Sequence, residues 1–462
     1  MRRSTLAASK KTIAPKTIAP ALVGLAAGLA TLASASPSLA TFHVPHTQAT
    51  VRVDDRDDGQ CSLYEAIDAI NKGNIGPGSN LHGCVNDEFG GPYIEVEADI
   101  DPKSTDPNKR YFYKTYGAVM NVYMEIYAYT YSNHTTLEHS GPSAVLTNNG
   151  GTIPQPTVLS GFTIQHTGTG PGRVITNNGT DLGTGDSNVN PGNLLLMYDT
   201  IQNGNVTANS GTAAYGGGIY NGGVGGVELA NVSVQNNKAK RGGGIYTTTV
   251  QGVGLEIASI TGNTATDIGG GAYTTGRLNV VTATISDNTA TNNGGGVYCE
   301  HGGNSYCAFH FATIANNKGA NGGGVFRVTN TSACTSASIC NKSSLFSSIL
   351  SGNKNGSGAA NDYTGDPHST QANGGLKENR SLFSTWTGNT NHAFDFTGSA
   401  GLGSLLNNFA SVTKTRSISP TSAAKDAAKN GSTPAFCPEL DQNYNPRPSG
   451  TTCDLGAYEL QQ

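Results

Sequence analysis

Three polar side chains recur at the same distance from a glycine cluster, which makes them the first candidates for chemistry. Lys240, Asp267 and Asn292 each lie two residues before three consecutive glycines, and Arg241 follows Lys240 directly. If the chain repeats in space as it does in sequence, these side chains lie on successive turns. Lys240, Arg241 and Asp267 are then the candidate catalytic residues, with a cation as base toward a bound sugar. They equally fit an exposed ion-pair ladder, worth less than ~1 kcal/mol.

A row of tyrosines is the second candidate, for binding rather than catalysis. The sequence alternates strictly there, so that Tyr123, Tyr127, Tyr129 and Tyr131 share one face of a predicted strand with Glu125. Exposed rings of this kind would stack on sugars and donate hydrogen bonds. Packed beneath an N-terminal cap, the same rings would be structural.

The sequence lacks the clusters on which enzymes that degrade polysaccharides depend. An inverting hydrolase needs two carboxyl groups ~6.5–9.5 Å apart, and a β-eliminating lyase needs a base and often Ca²⁺. The carboxylates of the central repeats are scattered, and no two are adjacent. Four aspartates cluster at 54–58, where Ca²⁺ binding and a solvated acidic segment are the two interpretations. We therefore predict no metal site in the repeats and no required cofactor.

The first 40 residues are typical of a secretory signal peptide. Five basic residues precede an apolar stretch over 21–35, and residues 38–40 (Ser-Leu-Ala) offer small side chains at a cleavage site. The stretch is short for a membrane span, so we expect none after cleavage. Cleavage changes the net charge from −4 to −9, which disfavours nucleic acid as a partner. We expect the protein to be secreted or exposed on the cell envelope.

Eight cysteines lie beyond this segment, and an even number in an exported chain suggests disulfides. The alternative, a zinc site, lacks any C-x-x-C pair. Sequence leaves the pairing open. The pairing that closes the shortest loops joins neighbours: Cys61 to Cys84, Cys299 to Cys307, Cys334 to Cys340 and Cys437 to Cys453.

The elements that must position these residues are repeats of 25 to 28 residues. Three-glycine clusters begin at Gly216, Gly242, Gly269, Gly294 and Gly322, and each is followed by a small apolar residue and an aromatic one. Three glycines would cost a helix ~1 kcal/mol each, and the intervening segments alternate with a period of two. The sequence therefore predicts an all-β fold, a single-stranded right-handed parallel β-helix.

Two rows of stacked side chains follow from this register. Equivalent residues of successive turns lie ~4.8 Å apart in a β-helix. An inward apolar row is predicted for Val234, Ile260, Ile285 and Ile314, and an amide ladder for Asn237, Asn263, Asn288 and Asn317. The predicted organisation is a signal peptide at 1–40, an N-terminal cap with the first strands at 41–140, helix repeats at 141–360 and a C-terminal cap at 361–462.

Both ends of the mature chain resemble domains of exported bacterial proteins. Residues 61–67, Cys-Ser-Leu-Tyr-Glu-Ala-Ile, resemble the Cys-Ser-Leu-Arg-Glu-Ala motif of the CSLREA domain, with Tyr64 in place of the arginine. Residues 437–438 (Cys-Pro) and 453–459 (Cys-Asp-Leu-Gly-Ala-Tyr-Glu) resemble the choice-of-anchor Q domain. The glycine repeats are similar to those of polymorphic outer-membrane proteins. Leu63, Ile67 and Ile70 lie on one face of a predicted helix at 61–71, and in the related proteins this region is an N-terminal cap. The resemblance implies an exported β-helix and implies no reaction.

The functional expectation is a secreted or surface-exposed, non-catalytic β-helix that acts in adhesion or glycan binding. Its expected partner is a polysaccharide or a glycan of a host or cell surface. One alternative is a polysaccharide lyase or glycoside hydrolase that acts on an acidic polysaccharide. Another is a structural component of the envelope. The oligomeric state does not follow from the sequence.

Overall fold

The computed structural model contains β-strands almost throughout and confirms the predicted parallel β-helix. Residues 1–40, with the expected signal peptide, and the aspartates at 54–58 lie outside the described residues. The structure describes residues 42–44, 61–73, 80–81, 84–85, 92–96, 111–128, 135–150, 156–179, 194–301, 305–329, 344–365, 377–379, 381–383, 386–387, 396–408, 411–430, 433–434 and 437–462.

Three long parallel sheets form the wall of the helix, and successive turns contribute successive strands to each. The first sheet comprises Phe42–Val44, Tyr93–Val96, Glu125–Ala128, Thr157–Ser160, Leu194–Met197, Val227–Ala230, Val253–Glu256, Arg277–Val281, Tyr306–His310, Ser344–Phe346 and Lys377–Asn379. The second sheet comprises Tyr111–Lys114, Thr135–His139, Phe162–His166, Thr200–Gln202, Ser233–Gln235, Ser259–Thr261, Thr284–Ser286, Thr313–Ala315, Ile349–Ser351, Leu382–Phe383 and Phe396–Thr397. The third sheet comprises Ala118–Met120, Leu146–Asn148, Ile175–Asn177, Ile219–Asn221, Ile245–Thr247, Ala272–Thr274, Val297–His301, Val325–Thr329, Tyr363–Gly365 and Trp386–Thr387.

A short fourth sheet lies between the second and third sheets in the middle of the helix. Its strands are Lys238–Arg241, Thr264–Ile268 and Thr289–Ala290. In each strand an alanine points inward and is almost fully buried, while the residues on either side point outward. This alternation gives the fourth sheet a polar outer face.

The interior of the helix is a set of apolar rows that run along its axis. Val234, Ile260, Ile285 and Ile314 pair in parallel register, as predicted, and all four side chains are fully buried. Burial of one such side chain stabilises the fold by ~1.5–3 kcal/mol. The periodic apolar pattern therefore supplies the driving force for stacking one turn on the next.

The triple glycines are required by two separate constraints. The first glycine of each cluster has a positive φ, between 56° and 69°, which an L-residue with a side chain rarely adopts. The second glycine faces the next turn: a Cβ on Gly243 would lie 2.5 Å from the carbonyl oxygens of Gly270 and Thr264. The clusters therefore mark the sharp corner between the fourth and third sheets.

The predicted asparagine ladder is present and is longer than expected. Each side-chain oxygen accepts hydrogen bonds from the backbone N–H and the side-chain amide of the asparagine one turn before it, at 2.9–3.1 Å. The ladder continues to Asn353 and ends on the Asp362 carboxylate, which accepts both bonds. Because these asparagines are fully buried, their ladder satisfies polar groups that water cannot reach.

The predicted α-helix, α1 (Leu63–Asn71), covers the N-terminal end of the β-helix. Ser62 accepts a hydrogen bond from the backbone of Glu65, and the Glu65 carboxylate accepts one from the backbone of Ser62. This capping box fixes the start of α1. The apolar face of α1 packs into the end of the core, with Leu63 and Ile67 each 1% exposed.

The C-terminal residues form antiparallel pairs outside the helix. The paired strands are Leu402–Asn407 with Lys414–Ile418, and Lys429–Asn430 with Thr433–Pro434. Alanines, Ile418, Leu455 and the Cys453 disulfide form a second small core with residues of the second sheet. This core gives residues 396–462, which we call the C-terminal region, a hydrophobic anchor on the helix.

The C-terminal region lies along the outer face of the second sheet. The Thr284 hydroxyl donates to the side-chain oxygen of Gln442 at 2.6 Å, and Arg416 binds both carboxylate oxygens of Asp287 at 2.7 and 2.9 Å. Such contacts extend from residue 231 to residue 347. The predicted C-terminal cap is thus also a lateral cover of the helix.

Three of the four neighbouring cysteine pairs form disulfides: Cys61 with Cys84, Cys299 with Cys307 and Cys437 with Cys453. The fourth pair, Cys334 and Cys340, lies outside the described residues. In the part of the chain that the structure describes, no helix has the length and apolar character needed to cross a membrane.

Candidate functional site

The predicted tyrosine row is only partly described, and its first member is packed. Tyr123 is 6% exposed, Tyr127 is half-buried, and both hydroxyls donate to the carboxylate of Glu125. Burial, with a contribution from Glu125, raises the pKa of Tyr123. Tyr129 and Tyr131 lie outside the described residues. The buried Tyr123 ring fits the structural interpretation better than that of a sugar platform.

The predicted polar stack forms, but Asp267 pairs with Arg241. Nε of Arg241 lies 3.1 Å from Oδ2 of Asp267, and the Asn292 amide donates to Oδ1 of Asp267 at 2.9 Å. The register between the strand Lys238–Arg241 and the strand of the next turn shifts between Ala239 and Arg241. The shift brings Arg241, rather than Lys240, beside Asp267. Lys240 remains exposed. The expected ladder of Lys240 on Asp267 is therefore replaced by one of Arg241 on Asp267.

A row of stacked aromatic rings runs along the outer face of the third sheet. Neighbouring rings have centroids 4.8 to 5.4 Å apart, in stacked orientation. The repeated aromatic residue two positions after each glycine cluster was the signal for it, since parallel register places such residues one above another. The members of this aromatic row are Tyr215, Tyr220, Tyr246, Tyr273, Tyr298 and Phe326.

The aromatic row supports the surface beside it, and its central rings, Tyr246 and Tyr273, offer no face to a ligand. Tyr246 and Tyr273 are 6% and 4% exposed because their faces cover each other. Burial raises the pKa of Tyr246 to about 12, so its hydroxyl stays protonated at neutral pH. The Arg241 guanidinium lies 5.4 Å from the Tyr215 ring centre and 5.9 Å from that of Tyr273. Cation–π contacts of this kind hold Arg241 at the edge of the fourth sheet.

In each of the three turns of the fourth sheet, the inward alanine is flanked by two outward residues. Each of these six residues is a lysine or a threonine, and the next two turns carry lysine at the first of the two positions. One column is in parallel register from turn to turn: Lys238, Thr264, Thr289, Lys318 and Lys354. We call the whole set the lysine–threonine strip: Lys238, Lys240, Thr264, Thr266, Thr289, Thr291, Lys318 and Lys354. All members are exposed except Thr264, which is half-buried.

Sequence reasoning missed this strip, although a signal for it exists. Each residue of the column directly follows an asparagine of the buried ladder, so the pattern reads Asn-Lys at 237–238, 317–318 and 353–354, and Asn-Thr at 263–264 and 288–289. Because a side chain points to the opposite face from its neighbour in a strand, an inward ladder residue predicts an outward successor.

No acidic side chain of the described residues neutralises the lysines of the strip. Among the residues that the structure describes, Lys238, Lys240, Lys318 and Lys354 have no ion-pair partner. The carboxylate next to the strip, Asp267, is held by Arg241 and Asn292. The strip is thus a positive surface on a chain whose formal net charge is −4.

Carboxyl groups elsewhere in the repeats are less suited to a ligand or a metal. Asp199 is fully buried and accepts backbone N–H groups of Phe162 and Met197 at 2.8 and 3.2 Å. Glu228, on the outer face of the first sheet, is exposed, and the nearby Glu256 is half-buried. No group of three or more potential metal ligands occurs within the described ranges.

Comparison with models of protein families, with curated proteins and with solved structures gives no match for this chain. The resemblance of the two terminal motifs therefore remains a prediction, and the function has to be argued from the surface itself.

Proposed function

We propose that this protein is a non-catalytic glycan-binding β-helix, located outside the cell or on its envelope. The observation that carries the proposal is the lysine–threonine strip, an exposed surface with hydroxyl and ammonium groups in regular register. Sugars are recognised chiefly through their hydroxyl groups, and the strip offers both donors and acceptors to them.

Rigidity supports binding by this surface. Threonine is stiff at χ1, and the strip lies on paired strands above buried alanines and a satisfied asparagine ladder. Little conformational entropy is therefore lost when a ligand contacts the threonines of the strip. Asn293 and Asn321, linked by a hydrogen bond of 2.9 Å, extend the polar surface beyond the strip.

The three disulfides support a location in an oxidising compartment, since such bonds persist mainly in exported proteins. A polymer on a cell surface or in the medium is a ligand that a protein in this location would meet. The strip runs parallel to the helix axis, which suits a linear chain better than a single sugar.

The test is retention of the mature protein on immobilised polysaccharides, charged and neutral. The test variant replaces Thr264, Thr266, Thr289 and Thr291 with valine, which keeps the shape and removes the hydroxyls. The matched control replaces the exposed Thr248 and Thr451, which lie outside the strip. We expect about a tenfold loss of affinity in the test variant only, or 1.4 kcal/mol. Absence of retention on every polymer would overturn the proposal.

The enzymatic alternative is tested with the same polymers. Glu256 is half-buried with a pKa raised by burial, and the exposed Glu228 lies near it, so these are the carboxyl groups that an acid–base mechanism would use. We expect no new reducing ends and no unsaturated uronate, with or without Ca²⁺. Product formation that disappears in Glu228→Gln would replace the non-catalytic proposal with a hydrolase or lyase.

A further inference from the structure

We propose that the ligand of the lysine–threonine strip is an anionic polysaccharide, a chain with carboxylate or sulfate groups that lies along the helix axis. This inference rests on the proposed glycan-binding function and adds the charge of the ligand and its direction. Three observations support it: the order of the residues in the strip, the proximity of two lysines and the charge of the rest of the chain.

The order of residues along the strip matches a polymer with spaced anions. In the registered column, Lys238 is followed by Thr264 and Thr289 and then by Lys318 and Lys354. Steps of ~4.8 Å between turns place Lys238 ~14 Å from Lys318, measured between backbones. An acidic polysaccharide likewise presents anionic groups at intervals, with hydroxyls between them. The ammonium groups and the threonine hydroxyls can therefore be used by one extended chain.

Two lysines of the strip lie directly beside each other. Lys318 and Lys354 pair across a parallel bridge, and both are exposed. Like charges in this position destabilise a sheet. An anionic group of the ligand would lie between the two ammonium groups and remove their repulsion. The arrangement is thus unfavourable in the free protein and favourable in a complex with an anion.

The charge of the whole chain argues for a polymer of moderate charge density. The formal net charge is −4, so a polyanion is repelled by the molecule as a whole and attracted by the lysines of the strip. Duplex DNA carries one charge per ~1.7 Å and is usually bound by broad basic surfaces. The ring faces of Tyr246 and Tyr273 are covered, so they offer no platform for unpaired bases. A uronate or sulfated glycan fits these conditions better than nucleic acid.

The experiment measures the dissociation constants of polygalacturonate, heparin, dextran and duplex DNA at low and moderate salt. The test variant is Lys318→Gln with Lys354→Gln. The control is Lys72→Gln with Lys425→Gln, which removes an ion-paired lysine at the end of α1 and a half-buried lysine of the C-terminal region. We expect wild-type binding to polygalacturonate or heparin that weakens with salt, about tenfold weaker binding in the test variant and less than twofold change in the control.

Each outcome separates the inference from the proposed function. Tighter binding of polygalacturonate assigns the anion as carboxylate, and tighter binding of heparin assigns it as sulfate. Equal binding of dextran, unaffected by the lysine substitutions, would overturn the inference and leave glycan binding intact. Preference for DNA over every glycan would also overturn it. Failure to bind any glycan would remove the proposed function as well.

Discussion

The outer face of the second sheet and the lysine–threonine strip are both built from small hydroxyl residues, but only the first is covered. Ser233, Ser259 and Thr284 are fully buried beneath the C-terminal region. Thr266 and Thr289 occupy outward positions on a neighbouring face and are exposed. Both faces thus carry outward hydroxyl residues, but the chain's own residues occupy only one of them.

Lysine accounts for much of the difference. The covered column continues from serine to threonine and then to Ile349. These side chains can be buried at low cost, because the hydroxyl groups are paired and isoleucine is apolar. The column of the strip has lysine at both of its ends, at Lys238 and Lys354. A buried ammonium group without a partner costs several kcal/mol, so the strip disfavours a cover made of the chain itself.

The largest expected effect comes from moving a lysine onto the covered face. Thr284→Lys would place an ammonium group beneath the C-terminal region, near Arg416, and we expect the free energy of unfolding to fall by about 3–5 kcal/mol. The matched change, Thr289→Lys on the strip, should alter it by less than about 0.5 kcal/mol. Urea unfolding and limited proteolysis of the C-terminal region measure both. Similar losses in the two variants would mean that the faces do not differ as argued.

A smaller effect is expected when a cation is removed from each face. Arg416 is buried, and Arg416→Ala removes its hydrogen bonds to Ser286, Asp287 and Gly403, so we expect a loss of about 3 kcal/mol. Arg241→Ala breaks a half-buried surface pair with Asp267 and should cost less than about 1 kcal/mol. Thermal unfolding of the two variants side by side decides the point. An equal loss would show that the Arg241–Asp267 pair contributes as much to stability as the contacts of Arg416.

The pH dependence of stability probes Asp199, a buried carboxyl group beside the covered face. Burial raises the pKa of Asp199 from 3.8 to about 8, against three backbone N–H groups that lower it. Asp199 therefore loses its proton near pH 4 in the unfolded chain, but only near pH 8 in the folded protein. Stability should fall with rising pH between these values, by about 1.4 kcal/mol per unit, relative to Asp199→Asn. Parallel stability curves for the two proteins between pH 4 and 8 would contradict this.

The repeated part of the fold could be predicted because its signals are local and periodic. The glycine clusters, the isoleucine row and the asparagine ladder follow directly from spacing, since parallel stacking brings equal positions together. Helix α1 follows from its apolar face and could have been placed to the residue by the Ser62–Glu65 capping box. Three neighbouring cysteine pairs also proved to be bonded.

The candidate site was predicted only in part. The stacking of Asp267 and Asn292 was found from their distance to the glycines, and the structure confirms their contact. The choice of Arg241 over Lys240 was missed because it depends on a register shift within one strand. The aromatic row and the strip were not predicted as surfaces because the exposure of an outward residue depends on which faces the rest of the chain covers.

The sequence by itself determined the period, the inward rows and the corners, because these depend on contacts between equal positions of adjacent turns. It also determined which residues alternate outward on each strand. Only the tertiary structure decided which outward face is covered, because Arg416 meets Asp287 and Gln442 meets Thr284 across more than a hundred residues. Contacts of this range have no period in the sequence. The exposure of the lysine–threonine strip follows from where the C-terminal region docks.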